Sequence, residues 1–316
     1  MNNEILNKLK NLNKLIGNTP LIEISYSFKG KVNSVYAKLE WFNLTGSIKD
    51  RPALEIIKRA YQKGLLKENQ TICETTSGNM GISLTAVANY LNNPMVVCMP
   101  KSMSEERKQL LKLYGAKLEL TESFSEAFKK SEEYGQSGAF LSRQFDNKDN
   151  LNSHYKSTAK EIYKKLKEIS YFVSGVGTGG TLMGVGSFLK ERCGCKLVAV
   201  DPHESKLLQT GKSLGKHKIQ GLSDGIIPKL YNQKLIDNIV SIKSDDAIAM
   251  AKKLSQKLGL SVGISCGANF LGCVLSGDNA VTVFADDGKK YLSTDLVKEI
   301  DSPLVNKIEL ISYTVL

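Results

Sequence analysis

Lys49 stands where electrostatics argues against a lysine. In "FNLTGSIKDRPA" (42–53), Ser47 and, three residues on, Asp50 read as an N-cap with a short capping box, and Pro52 suits a first helical turn. Ala53, Ile56, Ile57, Ala60 and Tyr61 then recur at helical spacing. A helix start carries about half a positive charge and disfavours an ammonium by up to about 1 kcal/mol. An amine held there tends toward the unprotonated form that Schiff-base chemistry with a carbonyl requires. Three further loops carry ligand-holding residue types. "TTSGNMG" (75–81) aims the amides of Ser77, Gly78 and Asn79 out of a helix start as an anion site. "GVGTGGT" (175–181) lines a glycine loop with the hydroxyls of Thr178 and Thr181, and "GISCGAN" (263–269) places Ser265 late in the chain. Together they suit a cofactor bearing both an aldehyde and a phosphate.

The second loop has a rival reading. Gly175, Gly177 and Gly180 satisfy G-x-G-x-x-G between a strand and a helix, and Asp201 follows Gly180 by 21 residues, as in dinucleotide-binding folds. An NAD-dependent dehydrogenase would carry such a unit. Its mid-chain position and its two threonines favour a cradle for one terminal phosphate instead.

The elements that must position these loops alternate. Strand-like runs fall at 35–40, 71–75, 95–99, 117–121, 171–175, 196–200, 238–242 and 280–285, with helical stretches at about 82–91, 104–114, 124–135 and 246–258. That rhythm predicts α/β architecture with mainly parallel sheets, whose ligands gather at the carboxyl ends of strands. At 316 residues two domains are expected, 1–149 and 150–316, divided near the turn-rich "QFDNKDNLN".

Composition narrows the function classes. With 43 Lys+Arg against 32 Asp+Glu the formal charge is +11, but the lysines are dispersed among acids and apolar residues, so no nucleic-acid partner is expected; a basic cleft would attract small anions. The six cysteines form no repeated CxxC, and the isolated Cys193-x-Cys195 lacks companions, so no metal is expected. No apolar run approaches the ~18 residues of a membrane span. A soluble chain of the reducing cytoplasm is the expectation.

Collinear segments from "IGNTPLIEI" at Ile16 through "KLEWFNLTGSIKDRP", "TTSGNMGI", "MSEERKQLLKLYGA", "RQFDN", "GVGTGGTLMG", "IQGLSDGIIP", "GISCGAN" and "DDGKKYLSTDL" resemble the fold type II pyridoxal-phosphate enzymes, in the cysteine synthase and cystathionine β-synthase branch. The resemblance implies pyridoxal 5'-phosphate as cofactor, two three-layer α/β domains in which the segment at about 15–34 packs with the second, and a homodimer onto which the tail "VNKIELISYTVL" could pack. Lys49 matches the lysine that forms the internal aldimine and removes the substrate Cα proton. Asn79 matches the partner of the ring hydroxyl oxygen, Gly177, Thr178, Gly179, Gly180 and Thr181 the phosphate loop, and Ser265 the serine facing the pyridine nitrogen. Thr76, Ser77, Gly78 and Gln144 match the substrate-carboxylate site.

A neutral Ser265 makes the ring a weaker electron sink, which favours β-elimination over racemisation or transamination. The loop "GTGGT" also differs from the tetraglycine-like loops of threonine dehydratase relatives. The resemblance therefore implies β-replacement on a small amino acid by a sulfur nucleophile, foremost O-acetyl-L-serine plus sulfide giving L-cysteine and acetate. Two departures favour a cysteine-consuming relative that releases hydrogen sulfide and makes serine, lanthionine or cystathionine. Met80 stands where a threonine is usual, and "GLSDG" replaces "GIGAG", introducing Asp224 as a candidate acid or base near Cβ. The resemblance ends near Leu296, with about 20 residues following, so no regulatory module is expected.

Overall fold

The computed structural model describes residues 2–223 and 225–316; Met1 and Asp224 lie outside the described residues. Two sheets organise the chain. The smaller has the order β5-β4-β3-β6, all parallel, built from β3 (Ile72–Thr75), β4 (Met95–Pro100), β5 (Lys117–Thr121) and β6 (Phe140–Leu141). Its central strands β3 and β4 are buried at every position, which is why "TICET" and "MVVCM" read as continuous runs instead of alternations.

The larger sheet has the order β11-β1-β2-β10-β7-β8-β9. β7 (Tyr171–Gly175), β8 (Lys196–Pro202), β9 (Asn238–Ile242) and β10 (Ala280–Phe284) pair in parallel, and β10 continues in parallel onto β2 (Lys31–Leu39). β2 forms an antiparallel hairpin with β1 (Leu21–Phe28), and β1 pairs antiparallel with β11 (Ile308–Val315). The segment 21–39 therefore belongs to the sheet formed by the second half of the chain. β11 is an edge strand that leaves Ile311, Tyr313 and Val315 exposed. The turn-rich stretch near 144–152 resolves into a helix, Lys148–Lys156, capped by the Asn147 side chain on the Asp149 amide.

Helices cover both sheets. Ile264–Ser276 is buried through almost its whole length, and the N-terminal helix Asn3–Leu15 docks by Ile5, Leu9 and Leu12 at helical spacing. A buried ionic cluster stitches these layers. Arg51 bonds Glu40 (Nε–Oε2, 2.6 Å) and Glu161 (Nη1–Oε1, 2.6 Å), and Lys38 of β2 reaches Glu161 at 2.7 Å. The arginine holds both carboxyls below the usual carboxylate range against the opposing effect of burial. Arg51 lies two residues beyond Lys49, so this cluster fixes the helix on which the lysine sits.

Candidate active site

The helix Asp50–Gln62 begins at Lys49, which is its N-cap, so the lysine occupies the unfavourable position its sequence indicates. The expected capping box does not form. Ser47 Oγ accepts from the Lys49 amide at 3.2 Å, two residues on, and Asp50 turns its carboxylate to Thr45, accepting from its amide at 2.7 Å and its hydroxyl at 2.6 Å. Two nearby donors on one residue outcompete the single amide a capping box offers. The Ile48 amide donates to Ala285 O at 2.8 Å, and Lys290 Nζ donates to the carbonyls of Thr45 and Gly46 at 3.1 and 3.0 Å. The end of β10 and the residues after it thereby hold the lysine loop in place.

One cavity gathers Lys49, Asn79, Gly177, Thr178, Gly179, Thr181 and Ser265, together with Gln220, Asn269 and Tyr291. A second cavity beside it, lined by Ser77, Lys216, His217 and Gln220 to Ser223, forms a mouth. Thr76, Gly78, Gly180 and Gln144 do not line these two cavities. Thr76 Oγ1 accepts from the Gly78 amide at 3.0 Å, and Gly180 donates to Thr178 Oγ1 at 3.3 Å. Gln144 spends its amide on Thr75 O at 2.9 Å. A Cβ on Gly177 would come within 2.3 Å of Gly221 O, so only glycine lets the two loops approach.

The walls fit a phosphorylated aldehyde. Thr178 Oγ1 accepts from Gly180 and, at 3.0 Å, from Asn150 Nδ2, which leaves its own proton to donate to an anion. The helix Gly180–Cys193 starts at Gly179, a residue with no side chain to cap it, and of its first-turn amides Gly180 donates to Thr178 Oγ1, so the helix start and this hydroxyl face an anion together. Ser265 brings a neutral hydroxyl at the start of Ile264–Ser276. Asn79, which lines this cavity, keeps its Oδ1 buried without a partner, as do Oδ1 of Asp286 and Nε of Arg107 behind it.

Several residues here carry no local signal. Asn150 bridges the two loop systems by donating to Gln144 O and to Thr178 Oγ1. His154 stands within 3.4 Å of Thr181 Oγ1; burial, then the Lys49 charge, push its pKa well down, so it is neutral. Glu74 accepts from Ser142 Oγ at 2.7 Å and from the Gln144 amide at 3.1 Å, and burial raises it to about 7. Asp286, Tyr291 and Arg107 form a buried cluster beside Asn79. Asp201, the acid of the dinucleotide reading, is buried and bonded within the fold, accepting from the Leu208 amide at 2.9 Å and Ser223 Oγ at 3.1 Å.

The sequence profile of the family described as pyridoxal-phosphate dependent enzyme matches residues 12–286. The chain belongs to this family. Its cofactor is pyridoxal phosphate, which replaces the dehydrogenase alternative. It is 42% identical to cysteine synthase B of Campylobacter jejuni over 297 residues, covering 90% of this chain and 97% of that protein. Among solved structures, a hydrogen sulfide-producing enzyme of Fusobacterium nucleatum superposes with a TM-score of 0.95 at 41% identity, over 98% of this chain and 99% of that one. A variant of that enzyme with an aspartate changed to asparagine is described in complex with an α-aminoacrylate intermediate. Cysteine synthase of Entamoeba histolytica superposes with a TM-score of 0.83 at 35% identity, over 92% of this chain and 91% of that one. Among the described residues no helix is long and apolar enough to cross a membrane.

Proposed function

We propose that the chain catalyses β-replacement on a small amino acid, with O-acetyl-L-serine and sulfide giving L-cysteine and acetate as the leading reaction. The observation that carries this reading is the meeting of Lys49, an uncapped helix start with Thr178, and a neutral Ser265 around one cavity. Bound pyridoxal phosphate supplies an electron sink that makes the Cα proton of an attached amino acid removable and its β-substituent expellable. Lys49 holds the cofactor and then carries the Cα proton. Gly177, Thr178, Gly179, Gly180 and Thr181 hold the phosphate, Asn79 orients the ring through its hydroxyl oxygen, and Ser265 faces the ring nitrogen without charging it. Thr76, Ser77, Gly78 and Gln144 receive the substrate carboxylate. Gln144 has one N–H committed to Thr75 O and its second N–H to offer that carboxylate; it lines neither cavity, so substrate binding calls for a shift of the loop it shares with Glu74.

A second reading, cysteine consumption with release of hydrogen sulfide, is favoured by the TM-score of 0.95 to an enzyme named for that product and by Asp224 in "GLSDG". Asp224 lies outside the described residues, and its assignment as a proton carrier at Cβ is a proposal from sequence. The exposed apolar edge strand β11 suits a homodimer, and the free thiols suit a reducing cytoplasm.

The test is product analysis of the purified holoenzyme offered O-acetylserine with sulfide, or cysteine alone and with a second thiol. Brisk cysteine formation supports the first reading; sulfide release from cysteine that outpaces it supports the second. Lys49→Ala should abolish both, and its full activity would overturn the proposal. Asp224→Asn should still expel acetate from O-acetylserine yet lose most cysteine turnover; unchanged turnover would remove Asp224 from the mechanism.

A further inference from the structure

We infer that Asp286 is a positioning residue that fixes the orientation of the Asn79 amide toward the cofactor and ties it to Arg107 on the helix Glu105–Leu113. The inference rests on the reading that Asn79 faces the cofactor. Asp286 follows β10, and its carboxylate is fully buried. Its Oδ2 accepts from Asn79 Nδ2 at 2.7 Å and from Tyr291 Oη at 2.8 Å. The Asn79 group that meets this carboxylate oxygen is the NH2, so the amide turns a donor and not its carbonyl to that side. One N–H is thereby committed to Asp286, and the other is left for an acceptor in the cavity that Asn79 lines.

Tyr291 is the link in the other direction. Its hydroxyl accepts from Arg107 Nη2 at 2.7 Å while donating to Asp286, and burial pushes its pKa well up, so it stays protonated. Arg107 Nη2 lies 3.8 Å from the Asp286 carboxylate, and the same guanidinium bonds Gln220 at the mouth. The stem of Arg107 packs against Gly78, where an added Cβ would meet Arg107 Cδ at 2.3 Å. Asp286 thus faces Asn79, Arg107 and Tyr291 together, and the residues around it hold the Lys49 loop through Ala285 O and Lys290. Asn79, Arg107 and Asp286 each retain one buried polar atom without a partner, and of the three only Asn79 lines the cavity.

The experiment measures cofactor dissociation by dialysis and titration, and the visible absorbance of the bound cofactor, for the parent, Asp286→Asn, Asp286→Ala, Tyr291→Phe, Asn79→Ala and the Asp286→Ala/Asn79→Ala pair. Asp286→Ala should weaken cofactor retention roughly tenfold and shift the absorbance band. Asp286→Asn keeps an acceptor for Asn79 and should restore most of that retention while raising KM for the amino acid more than it lowers kcat. Tyr291→Phe preserves packing and should show the same KM effect with an unmoved band. In the double variant the loss should not exceed that of Asn79→Ala alone, because Asp286 acts through Asn79. A parent with no visible band would overturn the cofactor assignment itself. A yellow parent with Asp286 variants of unchanged band and retention, or with losses that add to those of Asn79→Ala, would overturn the positioning role.

Discussion

Under the proposed function Lys49, Thr178 and Gln144 carry three separable tasks, and single substitutions should separate them. Thr178→Ala removes the hydroxyl that Asn150 and Gly180 orient, so cofactor retention should fall about tenfold, as for loss of one charge-assisted bond. Gln144→Ala should leave retention intact and raise KM for the amino acid; equal loss of cofactor in both variants would show the loops to be misassigned. Glu74 adds a pH signature. Its carboxyl has an ordinary value of 4.5 and is raised to about 7 by burial, so between these values the folded chain holds a proton that the unfolded chain has released. Stability attributable to Glu74 should therefore fall as pH rises from about 4.5 to about 7, by at most ~3 kcal/mol. Glu74→Gln should flatten the Tm profile over that range, and an identical profile would mean that the group is solvated. That Lys49, Asn79 and Ser265 stand at helix starts was legible, because each opens a helix within a few residues of its own glycines. Glu74 was not, because its raised pKa comes from burial between β3 and the Gln144 loop.

At the scale of elements, the loop that follows Gln220 shows how a residue can oppose its backbone. Ser223 adopts φ +47, a left-handed conformation in which a non-glycine residue costs of order 1 kcal/mol or more. Its three polar groups offset that cost. The amide donates to Val176 O at 2.9 Å, the hydroxyl to Asp201 at 3.1 Å, and the carbonyl lies 3.2 Å from His217 Nε2. Ser223→Gly should be nearly neutral, since relieved strain balances the lost bond. Ser223→Ala keeps the strain and strips a bond from a buried carboxylate, which should destabilise by about 1–3 kcal/mol. Equal denaturation midpoints for the two variants would show that backbone strain decides nothing here. The sequence pattern marked Asp201 as a ribose ligand because it follows the next strand at dinucleotide spacing. Its partners are the Leu208 amide, seven residues on, and Ser223, 22 residues on, and spacing within one βαβ unit cannot register them.

At the scale of the molecule, the cluster of Lys38, Glu40, Arg51 and Glu161 joins a strand, the turn after it, the lysine helix and a helix more than 100 residues away. Removing one partner leaves a buried charge uncompensated, so Arg51→Met should cost about 3–5 kcal/mol by urea unfolding. A cost below ~1 kcal/mol would mean that water reaches the cluster. The sequence alone determined the alternation of strands and helices, the glycine loops, the odd lysine and the family they resemble, because each rests on interactions within a few residues. It did not reveal β1, β6 or β11, since those strands are defined by their neighbours: β1 by the hairpin with β2 and the pairing with the C-terminal β11. Nor could it pair Asn79 with Asp286 across 207 residues. Local preference sets which element forms and where a loop bends. Which distant polar groups share one buried space, and so which orient a side chain at the cofactor, is settled only when the two sheets pack, because burial makes an unpaired polar group too costly to leave alone.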